Sequence, residues 1–158
     1  MTPHRLAPWL VASLFVVACD RDSSARHAVA YFTGVKGSEA IGGGARFEES
    51  PPGVRVVVWL NQAPPGPKGV HIHEKGDCSD ALAGTMGKKY HPGDFGNLMV
   101  RDDGNGSLEV STTAGNLTPG VPMSFLNRAI VVHEAEDKGT EPSGDSGKPL
   151  ACAVIKPN

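Results

Sequence analysis

The stretch VRDDGNGSLEV, Val100–Val110, sets two short arms of alternating residues around Asp-Gly-Asn-Gly. A glycine-rich turn between arms of period two marks an antiparallel hairpin. The same grammar extends outward in both directions. AVAYFTG, GGGARFEE, GVRVVVWLN and GVHIHE precede the hairpin, RAIVVHE and LACAVIK follow it, and SPPG, APPGPKG and TPGVP punctuate the series. Short β-branched pieces between Gly, Pro and Asn turns predict an antiparallel all-β sandwich or barrel. HEAEDKGTEPSGDSGKP, residues 133–149, is polar and aperiodic, and it reads as a loop long enough to carry function.

The 158 residues, 39% of them hydrophobic, suffice for one domain with a real core, and no repeat or internal linker asks for a second. Residues 1–18 hold Arg5 followed by the apolar run LAPWLVASLFVVA, too short for a stable membrane span and suited to an export signal. The end of that run, VVAC, is similar to a bacterial lipobox, which would make Cys19 the lipidated first residue of the mature chain; an ordinary secretory signal cut nearby is the alternative. Residues 19–27 then form a polar tether, and residues 28–158 the domain. Without residues 1–18 the chain keeps 14 basic against 17 acidic side chains, a net charge of −3, which speaks against a nucleic-acid partner. Membrane contact is expected through the lipid anchor alone.

With Cys19 assigned to the anchor, Cys78 and Cys152 remain, and in an exported protein they are expected to pair. Two buried free thiols are the alternative. A bridge between them would close a long loop, worth roughly 4 to 5 kcal/mol in the chain-entropy description.

His71 and His73 stand one residue apart in GVHIHE. On a strand such residues share a face, about 7 Å apart, which suits two imidazoles converging on one metal. A hydrogen-bonded surface pair is the commoner meaning of His-x-His. His133 follows the apolar strand RAIVV, and His91 and Asp94 sit in HPGDFGN. The other histidines, His4 and His27, fall in the signal and the tether, so every histidine of the domain belongs to a candidate site.

The ordered motifs GVHIHEKGDCS, HPGDFGNL, RAIVVHEAEDK and PSGDSGKPLACAVI resemble the copper/zinc superoxide dismutase family, in particular its exported bacterial branch. The resemblance implies an eight-stranded antiparallel Greek-key β-sandwich or barrel. It also implies copper held by His71, His73 and His133, with His91 and Asp94 as two zinc ligands. Asp137 matches the carboxylate that links ligand histidines of the two metal sites, and Cys78 and Cys152 match the family's disulfide.

Two departures bear on the chemistry. Members of the family usually carry, between the positions of Cys78 and His91, a histidine that bridges copper and zinc and another that binds zinc. Here the interval is SDALAGTMGKKY, 12 residues without a histidine. His91 and Asp94 alone fall short of a tetrahedral zinc site, so zinc is not expected to be retained, and His91 is left as a residual zinc ligand or an extra ligand to copper. The active-site arginine that the family places just before LAC is Pro149, which offers an anion no cation. Lys148 and Lys138 are the nearby cations, and lysines in such a loop are more often simply solvated.

Two functions fit these residues. One is copper-dependent dismutation of superoxide to oxygen and hydrogen peroxide in the cell envelope, without zinc, with superoxide as the small-molecule substrate. The other is non-enzymatic copper binding for storage, delivery or detoxification on the same fold.

Overall fold

The computed structural model describes residues 25–158, so the expected signal peptide, Cys19 and most of the tether lie outside the described residues. Ten strands form one antiparallel sheet: β1 (Arg26–Tyr31), β2 (Thr33–Gly34), β3 (Gly42–Ser50), β4 (Gly53–Asn61), β5 (Gly66–His73), β6 (Lys89–Val100), β7 (Gly106–Thr112), β8 (Ala129–His133), β9 (Pro149–Val154) and β10 (Lys156–Pro157). Their order is β10-β1-β3-β4-β7-β6-β5-β8-β9-β2. The chain leaves β4, crosses to β5, and returns through β6 and β7 to lie beside β4, which is Greek-key winding. Among the described residues, helix is limited to the 3-10 turn Ala81–Ala83.

The eight strands of five or more residues match the expected count. The two-residue strands β2 and β10 add a seam: Ala28 pairs with Pro157 and Val29 with Lys156, while Thr33 pairs with Cys152 and Gly34 with Ala151. Both ladders keep one register between the first and last strand segments, so the curled sheet meets itself and leaves little open edge. The expected hairpin forms between β6 and β7, with Val100 opposite Gly106. β1 starts at Arg26, two residues before the expected domain boundary, because its ladder with β3 runs on to Arg26 opposite Glu49 and the Arg26 guanidinium grips the Glu49 carboxylate at 2.9 Å.

Inside the barrel, alternating residues of the long strands pack together, among them Phe47, Val56, Val58, Leu60, Ile72, Leu98 and Ile130, joined by Phe125 and Ile155 from outside the strands. Each such large side chain contributes roughly 1.5 to 3 kcal/mol by leaving water. β5 and β8, like the middle of β9, are buried on both faces. Val70, Ile72, Ile130 and Val132 point into the core, while Ala129, Val131 and the three histidines of these strands lie on the outer face beneath loops. A second small apolar cluster there joins Ala129 and Val131 to Ala81, Met86 and Cys152, which explains the unbroken apolar run AIVV.

A disulfide between Cys78 and Cys152 pins the loop after β5 onto β9, across 74 residues of sequence. It holds the 74–88 loop over the outer face, where Met86 packs. Replacing both cysteines with serine is expected to lower unfolding free energy by roughly 4 kcal/mol, the loop-closure contribution, in urea denaturation. A loss well under 1 kcal/mol would mean that packing alone holds this loop.

Candidate metal centre

Strand alternation places His71 and His73 on one face of β5, and β8, the neighbour of β5, delivers His133 from its last position. The donor nitrogens of the three residues lie within 4.8 Å of one another, and all three side chains are buried. His73 Nε2 and His133 Nε2 face each other at 3.4 Å, and the ring centres of His71 and His133 are 4.8 Å apart.

Each imidazole is oriented by its other nitrogen. His73 Nδ1 meets the Gly87 carbonyl at 2.8 Å and His133 Nδ1 meets the Gly147 carbonyl at 3.0 Å, so in both rings Nδ1 donates and Nε2 is left as the free donor atom for a metal. His71 is turned the other way, with Nε2 on Asp137 Oδ2 and Nδ1 left free. Burial pushes the pKa of all three rings below 6.5, that of His133 to about 4. They are therefore neutral at pH 7, the state in which an imidazole binds a metal.

Asp137 reaches this position because the loop from 134 to 148 folds back over β5. Asn97 clamps its backbone, accepting from the Asp137 N–H at 2.7 Å and donating to its carbonyl at 2.9 Å. Gly69 permits the close approach of the loop, since a Cβ there would lie 2.8 Å from the Ser146 side chain. Gly144, at φ 71°, passes over the carboxylate, where a Cβ would lie 2.3 Å from it. Burial raises the Asp137 pKa, but the Gly139 N–H on Oδ1, His71 and Lys89 outweigh that effect and hold the carboxyl below its usual range.

The residues matched to zinc are separated from each other. His91 is 65% exposed, with Nδ1 3.5 Å from the Glu141 carboxylate. Asp94 instead receives the Lys89 ammonium at 2.6 Å. Lys89 also lies 3.4 Å from Asp137 Oδ2, and its side chain is only 4% exposed. Desolvation lowers the lysine pKa, but its contacts with Asp94 and Asp137 more than compensate and leave it raised, hence cationic.

A cavity of about 350 Å³ opens over the imidazoles, bordered by Lys88, Lys89, His91, Pro142 and Ser143. Lys148 and Lys138 are not on its wall. Lys148 lines a separate hollow beside Glu134 and Leu150. The cations at the centre come instead from GKKY, drawn there by the Gly87 carbonyl on His73. Lys88, Lys89, Asn97 and the two supporting carbonyls were not singled out by the motifs. The one available signal was the pair of lysines standing in the segment that lacks the expected histidines.

Because the folded copper-free chain keeps His133 neutral down to about pH 4 while the unfolded chain protonates it near 6.5, its stability is full above pH 6.5 and is lost as pH falls from 6.5 toward 4. Urea midpoints of the copper-free protein are expected to drop across that window, and those of His133→Asn to drop less steeply. Parallel profiles would show that His133 is not held neutral by burial.

Residues 41–155 match the family model described as copper/zinc superoxide dismutase. The chain is 31% identical over 143 residues to the Cu-Zn superoxide dismutase of Deinococcus radiodurans, covering 73% of this chain and 78% of that one. It is 30% identical over 154 residues to the extracellular Cu-Zn superoxide dismutase of Drosophila melanogaster, covering 81% and 83%. Among solved structures, that of the clock protein EA4 superposes with a TM-score of 0.70 at 27% identity, over 82% of this chain and 93% of the other.

Proposed function

Because the chain belongs to the copper/zinc superoxide dismutase family, we propose that it dismutes superoxide with copper alone, without zinc, in the cell envelope. The observation that carries this reading is the convergence of three neutral, individually oriented imidazoles at the floor of an open cavity. Three nitrogen donors with a position left open fit copper in both oxidation states. Bound there, copper would supply one-electron chemistry, by which two superoxide ions and two protons become one oxygen and one hydrogen peroxide.

The protein's own residues supply binding, orientation and charge. His71, His73 and His133 would hold the copper, through Nδ1 of the first and Nε2 of the other two, while Asp137 and the carbonyls of Gly87 and Gly147 fix the ring planes. The cavity admits a diatomic anion. Lys88 on its wall provides the positive potential that Pro149 does not and favours entry of an anion, while the charge of Lys89 is met by Asp94 and Asp137. With no bridging histidine in the 79–90 segment, protons come from water and from His91, which stands exposed at the cavity.

The dismutase reading is tested with copper-loaded, zinc-free protein. Its activity should clearly exceed that of chelated copper, and His133→Ala should fall to the chelated level. Lys88→Glu should be roughly three- to tenfold slower at low ionic strength and converge on the wild type near 1 M salt, where screening acts within about 3 Å. A wild type that binds copper tightly yet shows no dismutation above the chelated control establishes the copper-carrier function in its place.

For location, the disulfide and the relatives named as extracellular support export, and Cys19 after VVA supports a lipid anchor. Cys19→Ala is expected to move the protein from the membrane fraction to the soluble envelope fraction. A variant that stays with the membranes would remove the lipid anchor from this reading.

A further inference from the structure

The register between β5 and β6 sets His71 opposite Asp94 and His73 opposite Lys89. Two histidines of the proposed copper set are thus backed, residue for residue, by a carboxylate and an ammonium. Asp94, Asp137 and His71 place donor atoms within 4.8 Å of one another, a cluster of the kind that takes a divalent cation. That cluster already contains a cation. Lys89 Nζ lies 2.6 Å from Asp94 Oδ2 and 3.4 Å from Asp137 Oδ2, with its side chain almost wholly buried.

We infer that the Lys89 ammonium is a tethered counter-cation standing where a zinc ion would stand: it pairs with Asp94 and Asp137 and balances one of their two charges, steadies the Asp137 carboxylate against His71, and leaves the site neither needing nor admitting a divalent metal. Three physical points carry this. The Asp137 carboxylate is buried, with Asp94 partly exposed beside it, and an unpaired buried charge is strongly destabilising. The ammonium reaches both, and it shares Oδ2 of Asp137 with His71 Nε2, so its position is coupled to the orientation of a ligand ring. An ion entering the same space would meet a fixed positive charge, and the other residue matched to zinc, His91, is turned out to Glu141. Lys89 is therefore a positioning residue for His71.

The inference rests on the proposed copper site only through His71, and zinc binding tests it directly. Zinc is added to the copper-loaded full chain, so that the imidazole set is filled first, and bound metals are counted after dialysis. The wild type should hold no zinc beside its copper, and its thermal midpoint should not respond to zinc. Lys89→Ala should melt lower by roughly 5 °C or more, take up about one zinc per chain and recover part of the loss when zinc is bound. Its copper(II) EPR hyperfine splitting should shift, while Lys89→Arg, which keeps the cation, should retain the wild-type spectrum. If Lys89→Ala does not fold, the Lys89→Met/Asp94→Asn double variant, which removes one carboxylate with the cation, should fold.

Stoichiometric zinc in the wild type overturns the inference. So does a Lys89→Ala variant as stable as the wild type, or a destabilised one that ignores zinc, since packing of the side chain would then be its role; a double variant that also fails to fold has the same meaning. A chain that takes no copper defeats the proposed function instead. The zinc titration on His133→Ala and on its Lys89→Ala derivative, in which the imidazole set is already broken, then still decides the role of Lys89.

Discussion

The carboxylate of Asp137 is the constraint on which the outer face of this barrel is organised. A buried carboxylate must be met by donors, and each donor here comes from a different part of the chain: His71 from β5, Lys89 from β6 and the Gly139 N–H from its own loop. Asn97, from the far end of β6, holds the backbone that carries it. Meeting that one group therefore fixes the ring of His71, the path of the 134–148 loop and the placement of a lysine inside the fold. The glycines at 69 and 144 follow from the same requirement, since side chains at either place would strike the loop or the carboxylate.

What could be read from the sequence divides along the distance over which its cause acts. The hairpin at Val100–Val110 and the shared face of His71 and His73 depend on strand alternation, a local property, and both appear in the residues themselves. The eight long strands follow for the same reason. The seam strands β2 and β10 are set by closure between the two ends of the domain, and two residues leave no periodic trace. β6 likewise extends back to Lys89 through Pro92 and Gly93, with register shifts opposite β5, where the pattern reads as a turn-rich motif.

The roles of the lysines leave no mark in the sequence. Lys88 and Lys89 look alike in GKKY, yet one is exposed and the other buried, because strand alternation turns Lys89 toward two carboxylates separated from each other by 43 residues of sequence. Lys148, next to Pro149 where the family carries an arginine, reads from the sequence as a nearby cation of a kind more often simply solvated. Its backbone N–H is tied to Glu134, and its side chain faces another hollow.

Replacing a bound ion by a side chain changes what the site depends on. A metal stabilises a fold in proportion to the logarithm of its free concentration over its dissociation constant, so a zinc-supported site weakens wherever zinc is scarce. An ammonium on β6 is present at every zinc concentration, and the chain that forms the barrel brings it into position. Its charge is half that of zinc, enough to balance one of the two carboxylates rather than both. The remaining negative charge lies beside His71, the one imidazole whose Nε2 rests on a carboxylate, and such an anion raises the basicity of the ring as a donor. On the proposed reading, an ammonium in the place of zinc acts in two places at once: it leaves His91 free to stand at the cavity, and it leaves the ring of His71 more electron-rich than a doubly charged neighbour would allow.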